Sequence, residues 1–266
     1  MEGVDVMEIN FILGFVRSGS TMIMGLCREH PEIETDLVEP NFLFQLLEKV
    51  HYTPERYQTF GIDAASAIKM YDKGVRAFTE RFYAGLCSWT GKKDVVIKHP
   101  YLTKYIFRLS RIFPTAKFLV LVRHPADVIA STFDFTQKTK AAADIFGKGD
   151  LKNILKMYVE WMAPILQAGL VQEKVMVAKF EDFIASPATF LKTIFNFFGK
   201  PLDLTEINNI IKLANANKLS LVGSALGGSV IKPPRSKFET LFQEPGKNLI
   251  RAQMRSFTTA FGYKEK

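Results

Sequence analysis

The segment Asn10–Pro31, NFILGFVRSGSTMIMGLCREHP, constrains the fold of this chain more than any other feature of the sequence. It opens with a short apolar and β-prone run, Asn10–Phe15, which predicts one buried strand. A glycine- and serine-rich turn follows, and apolar residues then recur at helical spacing. A strand, a tight turn and a helix form a cradle for an anion, because the backbone N–H groups of the turn and the positive end of the helix dipole both point at it.

The turn nearly matches the phosphate-binding pattern G-x-x-x-x-G-K-[ST] of nucleoside triphosphate enzymes. Gly14, Gly19 and Thr21 occupy the expected positions, but Ser20 stands where the pattern has lysine, and the cation of the loop is Arg17. The missing lysine is the residue that reaches the β- and γ-phosphates. The turn is therefore predicted to bind a phosphate ester other than a triphosphate, although a plain Gly-Ser turn before an ordinary helix would look similar.

Length and composition limit the class of protein. With 266 residues, of which 47% are hydrophobic and 23% charged, the chain suits an α/β domain, and we expect residues 1–266 to form a single domain. The net charge of +8 favours a polyanionic ligand. The sequence has neither a dense Lys/Arg run nor an interleaved pattern of basic and aromatic residues, so a small anion is favoured over nucleic acid.

The sequence further predicts a cytoplasmic location. Its two cysteines do not form a disulfide framework, and the acidic start MEGVDVME does not look like a secretory signal. No apolar run is long enough to cross a membrane. The histidines and cysteines lack the spacing of metal ligands, so we expect no metal ion.

Along the rest of the chain, predicted strands alternate with predicted helices. Short apolar runs predict strands at Ile33–Leu37, Asp94–Lys98, Lys117–Val122 and Lys174–Ala178. Lys117–Val122 is almost continuously apolar, as a central parallel strand should be. The alternation predicts an α/β fold, a central parallel sheet with helices on both faces. The polar, glycine-punctuated stretch Thr132–Asp150 is expected to be a mobile segment over the site.

A second phosphate-type signal follows the strand Lys117–Val122. Arg123 stands at the carboxyl end of this strand, where doubly wound sheets place their ligands. Ser131 lies about two turns into the helix predicted next. A guanidinium fork and a hydroxyl can hold one phosphate group together. Alone, the pair would be explained better by an arginine bound to a carboxylate and a serine facing solvent.

Taken in order, four motifs resemble the sulfotransferase superfamily, whose members use 3′-phosphoadenosine 5′-phosphosulfate (PAPS) as the sulfuryl donor. The motifs are the loop RSGST, the segment VIKHPYLTKYIFRLSRIFPTAKF, the strand end RHP with its later serine, and the segment VAKFEDFIASPATFLKTIFNFFG. The resemblance spans roughly Phe11–Gly199. It implies a P-loop NTPase-like sulfotransferase fold and transfer of a sulfuryl group from PAPS to a hydroxyl or amine of an acceptor, with release of adenosine 3′,5′-bisphosphate.

The resemblance also implies which residues hold the donor. The 5′-phosphosulfate would lie against the loop residues Arg17, Ser18, Gly19, Ser20 and Thr21. The 3′-phosphate would be held by Arg123 and Ser131. The family's carboxyl-terminal R-K-G motif is absent, and the candidates to replace it in SVIKPPRSKFE are Lys232, Arg235 and Lys237. Phe180 replaces the tyrosine that commonly precedes Glu181-Asp182 and keeps an aromatic ring for the adenine.

Two residues compete for the role of the base that removes the acceptor's proton. Glu39, in VEPNFL, matches a catalytic or substrate-facing Glu of carbohydrate- and tyrosine-directed members. His99 directly follows Lys98, whereas the small-molecule enzymes have the histidine two residues beyond the lysine, and on a strand this difference turns the side chain to the other side. We favour Glu39, with Lys98 and Arg17 stabilising the leaving oxygen. A helix-capping or packing role is the alternative for His99.

Two other functions fit parts of the sequence, a degenerate P-loop kinase or NTPase and a nucleotide-binding protein without catalysis. A kinase would need a Mg²⁺-binding aspartate at a strand end, where this chain has Arg123. The acceptor is expected to be a small molecule, a carbohydrate or another hydroxyl-bearing compound. Phe133 and Phe135 would suit an apolar or aromatic acceptor, although aromatic residues at such spacings are commonly core.

Overall fold

The computed structural model describes residues 7–35, 41–48, 61–171, 173–215 and 236–266. The strands in these ranges are β1 (Ile9–Leu13), β2 (Ile33–Thr35), β3 (Asp94–Lys98), β4 (Phe118–Val122) and β5 (Val175–Lys179). The helices before β4 are α1 (Ser20–Arg28), α2 (Asn41–Glu48), α3 (Ala64–Thr90), a 3₁₀ helix (Pro100–Tyr105) and α4 (Ile106–Ile112). Those after β4 are α5 (Pro125–Lys138), α6 (Lys140–Phe146), α7 (Leu151–Val171), α8 (Phe180–Ala185), α9 (Pro187–Phe198), α10 (Leu204–Asn215), α11 (Phe238–Leu241) and α12 (Glu244–Ala260). None of these helices combines the length and the hydropathy that a membrane span requires.

The described strands form one parallel sheet in the order β2-β3-β1-β4-β5. The strands β1, β3 and β4 are buried along their whole length. Strands covered on both faces have no side that needs polar residues, which is why these segments are nearly continuous apolar runs. The predicted α/β architecture with a central parallel sheet is confirmed.

Helices cover both faces of the sheet, as the alternation of side chains in β1 shows. Phe11 and Leu13 enter one hydrophobic cluster, which includes Trp161 of α7, and Ile12 enters a second cluster, which includes Phe195 of α9. Successive side chains of a strand point to opposite faces. The sheet is therefore the middle of three layers.

The order of the strands fixes where a ligand can bind. The chain leaves β1 toward β2 on one side of the sheet and leaves β4 toward β5 on the other. The carboxyl ends of two adjacent strands whose connections diverge enclose the crevice in which open α/β sheets bind ligands. Leu13 pairs with Val120 of β4, and Ile12 pairs with Lys98 of β3. The loop after β1 therefore lies between the ends of β3 and β4.

The stretch Thr132–Asp150, which we expected to be a mobile segment over the site, is largely helical. Helix α5 continues to Lys138, and α6 follows after one residue. The polar residues that suggested a loop are buried in helix, because the hydroxyls of Thr132 and Thr136 donate to the carbonyls of Val128 and Phe133. Such bonds satisfy polar side chains inside a helix.

Candidate active site

The loop after β1 is anchored at Gly14. Its N–H donates to Thr103 Oγ1 at 2.9 Å, and that hydroxyl donates back to the Gly14 carbonyl at 3.0 Å. Gly14 has φ +139°, and a Cβ there would lie 2.3 Å from the Leu121 carbonyl oxygen. Because only glycine avoids both the strain and the clash, Gly14 lets the loop pass directly over the end of β4. Nothing in the sequence singled out Thr103, which comes from the 3₁₀ helix.

Arg17 has a left-handed backbone, with φ +66°, and is the only non-glycine residue with positive φ in the described ranges. Its guanidinium lies over the Phe135 ring, 4.9 Å from the centroid, and its Nε donates to Ser131 Oγ at 3.3 Å. Left-handed backbone at a non-glycine residue costs on the order of 1–3 kcal/mol. The strained turn therefore places the cation of the loop on α5, next to the predicted phosphate serine.

The two predicted arginines lie close enough for their charges to interact. Burial lowers the pKa of Arg17, and the positive charge of Arg123 lowers it further, while Asp134 acts in the opposite direction. Burial also lowers the pKa of Arg123, against the opposing charges of Asp127 and Glu181. Neither guanidinium forms an ion pair with a carboxylate among the described residues. The structure thus brings together a buried cation, Arg123, and a more exposed one, Arg17, and no described carboxylate neutralises either of them by a direct ion pair, as a site for a polyanion would require.

The first turn of α1 supplies further donors beside Arg17. Gly19, with φ +98°, precedes the helix, and no side chain caps the helix terminus. Within the described part of the chain, the N–H groups of Ser20 and Thr21 have no acceptor, and the buried Ser18 hydroxyl has no hydrogen-bond partner. Free N–H groups at a helix start favour an anion. The ring of Phe180 packs against Gly19, where a Cβ would lie 2.4 Å from it.

Lys98 and His99 end β3 and are both buried, with 2% exposure each. His99 Nδ1 accepts a hydrogen bond from the Tyr101 N–H at 3.2 Å and so caps the 3₁₀ helix. Its ring stacks on Phe44 at a centroid distance of 5.7 Å. A neutral imidazole that accepts at Nδ1 carries its proton on Nε2. This geometry favours the capping role for His99 over that of the base.

Three predicted site residues, Glu39, Lys232 and Arg235, lie outside the described residues. Lys237 is described, and its Nζ donates to Asp134 Oδ2 at 2.5 Å. Asp134 is the carboxylate whose charge acts on Arg17, so Lys237 belongs to the surroundings of the site. No pattern in the sequence indicated that the Phe135 ring lies under the Arg17 guanidinium, since we expected this ring in the acceptor pocket.

Comparison with known proteins identifies the family. A model described as "Sulfotransferase family" matches residues 10–204. The chain belongs to the sulfotransferase family. The predicted resemblance is therefore confirmed, and sulfuryl transfer is the chemistry that this membership supports.

Curated relatives of this sulfotransferase are distant. It is 29% identical over 129 residues to nodulation protein NoeE of Sinorhizobium fredii, over 46% of this chain and 30% of that one. It is 25% identical over 140 residues to 3-beta-hydroxysteroid sulfotransferase of Cavia porcellus, over 47% of this chain and 45% of that one. It is 23% identical over 246 residues to protein-tyrosine sulfotransferase 1 of Danio rerio, over 86% of this chain and 61% of that one. The chain thus spans less than two thirds of the length of each.

Solved structures share the fold. The sulfotransferase domain of the Synechococcus PCC 7002 olefin synthase has a TM-score of 0.60 at 22% identity, over 99% of this chain and 98% of that one. Sulfotransferase STF9 of Mycobacterium avium has a TM-score of 0.61 at 12% identity, over 97% and 78%. Mouse sulfotransferase SULT7A1, complexed with PAP, has a TM-score of 0.55 at 11% identity, over 94% and 84%. The P-loop-like sulfotransferase fold is thereby confirmed.

Proposed function

We propose that this sulfotransferase moves a sulfuryl group from PAPS to a hydroxyl of its acceptor and releases adenosine 3′,5′-bisphosphate, hereafter the bisphosphate. The observation that carries the proposal is the pair of guanidiniums, buried Arg123 and more exposed Arg17, which lie close enough at the carboxyl ends of β4 and β1 for their charges to interact. A buried cation with a second cation beside it, neither with a direct counterion, is costly unless a ligand supplies the negative charge. A nucleotide with phosphates at both ends of its ribose would supply it.

The chain's departure from the nucleoside triphosphate pattern supports this donor. PAPS has no γ-phosphate, so the lysine that Ser20 replaces is not needed. The donors of the α1 terminus, which are the N–H groups of Ser20 and Thr21 and the Ser18 hydroxyl, suit the 5′-phosphosulfate. Arg123, with Ser131 on α5, suits the 3′-phosphate. The complex of mouse SULT7A1 with PAP, a structure of the same fold, is consistent with this assignment.

In the proposed reaction the acceptor oxygen forms a bond to sulfur while the bond between sulfur and the 5′-phosphate oxygen breaks. The acceptor's proton passes to a base, for which Glu39 is our candidate because His99 Nδ1 is occupied by the Tyr101 N–H. Lys98 and Arg17 stabilise charge on the leaving oxygen. The acceptor is a hydroxyl-bearing molecule, as the names of the steroid and protein-tyrosine relatives suggest.

The donor assignment is tested by ligand-induced stabilisation. The bisphosphate should raise the melting temperature of the protein, whereas ATP with Mg²⁺ should have a much smaller effect. The opposite order of the two ligands would favour the kinase or NTPase alternative.

Catalysis is tested separately with PAPS that carries labelled sulfate. Release or transfer of the label by the wild-type protein supports an enzyme. Tight binding of the bisphosphate with no turnover of PAPS across an acceptor screen would favour a nucleotide-binding protein without catalysis.

A further inference from the structure

Arg123 is buried but unpaired, although two carboxylates stand on the elements around it. Its exposed fraction is 8%, and it has no hydrogen bond or ion pair with a described residue. Asp127, in the first turn of α5, and Glu181, at the start of α8, are near enough for their charges to raise its pKa. A buried guanidinium beside a free carboxylate normally forms a charged, bidentate pair. Some other interaction must therefore hold these two carboxylates.

Asp127 is held by two donors from the carboxyl-terminal part of the chain. Ser236 Oγ donates to its Oδ1 at 2.6 Å, and Lys266 Nζ donates to its Oδ2 at 2.5 Å. The Asp127 side chain is 8% exposed and that of Lys266 is 33% exposed. Because Asp127 is buried, its attraction to Lys266 is screened by solvent less than that of an ion pair on the open surface.

Glu181 is held in a similar way. Its Oε1 accepts the N–H of His124 at 3.0 Å, and its Oε2 accepts the hydroxyl of Tyr263 at 2.7 Å. Both oxygens of the carboxylate are thus engaged, one by the residue after Arg123 and one by the segment after α12. The Tyr263 ring also lies against the His124 ring, at a centroid distance of 5.2 Å.

The segment 261–266 that supplies Tyr263 and Lys266 is fixed by its own backbone. Lys179 Nζ donates to the Gly262 carbonyl at 2.8 Å, and His124 Nε2 donates to the Lys264 carbonyl at 2.9 Å. Since backbone contacts alternate with side-chain contacts along the segment, it is docked across the ends of β4 and β5 rather than held at one point.

The same arrangement recurs at the other arginine. Asp134, whose charge acts on Arg17, accepts hydrogen bonds from Lys138 Nζ at 2.8 Å and from Lys237 Nζ at 2.5 Å. Each described carboxylate that acts on one of the two site arginines is therefore occupied by another donor.

We propose that Tyr263 and Lys266 are positioning residues: by engaging the two neighbouring carboxylates, they keep the Arg123 guanidinium available to a phosphate group. This inference rests on the proposed function, because it takes the 3′-phosphate of the nucleotide as the ligand of Arg123. Loss of either donor frees a carboxylate, and the freed carboxylate competes with the phosphate.

The experiment measures the affinities of the bisphosphate and of adenosine 5′-monophosphate, which lacks the 3′-phosphate, by calorimetry. A carboxylate that occupies Arg123 about nine tenths of the time weakens apparent affinity about tenfold. We expect this loss for the bisphosphate in Lys266→Met and Tyr263→Phe, and no loss for the monophosphate. Glu265→Gln, which removes an exposed ion pair with Arg255 in the same segment, is the matched control and should bind like wild type.

Charge rescue separates positioning from damage to the fold. Adding Asp127→Asn to Lys266→Met, or Glu181→Gln to Tyr263→Phe, removes the freed charge and should restore bisphosphate affinity. If Lys266→Met fails to fold, the proposal is tested by Tyr263→Phe and by the double variant that adds Glu181→Gln, since Tyr263→Phe removes only a hydroxyl.

Three results would overturn the proposal: unchanged affinity in both single variants, equal losses for both nucleotides, or no rescue by the second substitution. If the wild type does not bind the bisphosphate more tightly than the monophosphate, the donor assignment is wrong, and this proposal, which depends on it, is wrong as well. If the wild type shows that preference and the variants retain it, this proposal alone is refuted.

Discussion

Lys98-His99-Pro100 and Arg123-His124-Pro125 have the same order of residue types, and they end the two strands that flank β1. Both use the same local device. Each histidine Nδ1 accepts the N–H two residues later, at 3.2 Å in both cases, and each proline occupies the beginning of the helix that follows. A proline fits there because its missing N–H is not needed. The device places a cation at each strand end and turns the chain away from the site.

The surroundings of the two motifs differ. The His99 ring lies among aromatic rings, with Phe44 at 5.7 Å and Tyr101 at 5.3 Å. The His124 ring and backbone are instead tied by hydrogen bonds to the Lys264 carbonyl and the Glu181 carboxylate. The comparison teaches that one sequence motif can be placed in two different surroundings. In the proposed function, the aromatic surroundings of His99 belong to the acceptor side and the ionic surroundings of His124 to the phosphate side.

The largest expected effect is a loss of turnover. It tests whether His99 only caps a helix, as His124 does, or is the catalytic base. Glu39→Gln should lower turnover roughly 10²- to 10⁴-fold, as loss of a general base does, and leave bisphosphate affinity unchanged. His99→Asn should keep most of the turnover, because an asparagine oxygen can also cap a helix. Steady-state kinetics and calorimetry measure both quantities. If His99→Asn lowered turnover more than Glu39→Gln does, His99 would be the base, and its role would differ from the capping role of His124.

The next largest effect distinguishes the role of Arg123 in binding from that of Lys98 in turnover. Arg123→Ala should weaken bisphosphate binding by about 1.5–3 kcal/mol, as expected for loss of a charged hydrogen bond, whereas Lys98→Met should alter affinity little and lower turnover. Calorimetry on folded protein and kinetics with saturating PAPS provide the two measurements. Equal losses of affinity in both variants would mean that the two strand ends share one ligand group, contrary to the division proposed above.

Substitution of Arg17, which lies between the two strand ends, is expected to change both bisphosphate affinity and stability. Both Arg17→Ala and Arg17→Gly should lower bisphosphate affinity at least about tenfold, since each loses the guanidinium. The glycine variant should unfold with a free energy about 1 kcal/mol higher than the alanine variant, because glycine adopts φ +66° without strain. Denaturant titration measures this difference, and identical stabilities would contradict the strained conformation.

The smallest effect concerns pH. Burial lowers the pKa of His124, so the unfolded chain binds a proton more readily than the folded one. The stability that follows is fully present above the unfolded pKa of about 6.5 and is lost as pH falls below it. Melting curves from neutral pH to about pH 5 should therefore decline less steeply in His124→Asn than in wild type. His30, whose pKa burial also lowers, leaves a residual slope in the variant, and an unchanged slope would exclude His124 as a contributor.

The sequence allowed the strands and the loop to be predicted because their causes are local. A fully buried strand needs an apolar run, which Lys117–Val122 supplies almost without interruption, and the structure has Phe118–Val122 as β4. The turn after β1 requires glycine where it crosses β4, and Gly14 stands there. Local rules were misleading only where polar side chains are satisfied inside a helix, as in Thr132 and Thr136.

What the sequence could not show is the pairing of distant segments. Ser131 meets Arg17 across 114 positions, and Lys266 meets Asp127 across 139. Neither contact leaves a periodic pattern, because each depends on how the sheet and α5 are placed relative to each other. His99 illustrates the same limit, since its capping bond is local but its chemical role depends on the rings around it.

The left-handed backbone of Arg17 has a consequence for protein engineering. In libraries that randomise position 17 to change donor preference, many variants would be lost because their side chains do not fit the backbone, before their binding chemistry matters. β-branched residues, for example, are nearly excluded at φ +66°. Glycine, asparagine and aspartate adopt this conformation most readily, and none of them carries a positive charge. Productive diversification would therefore start on the helix that faces the loop, at Phe135, where many side chains fit the backbone.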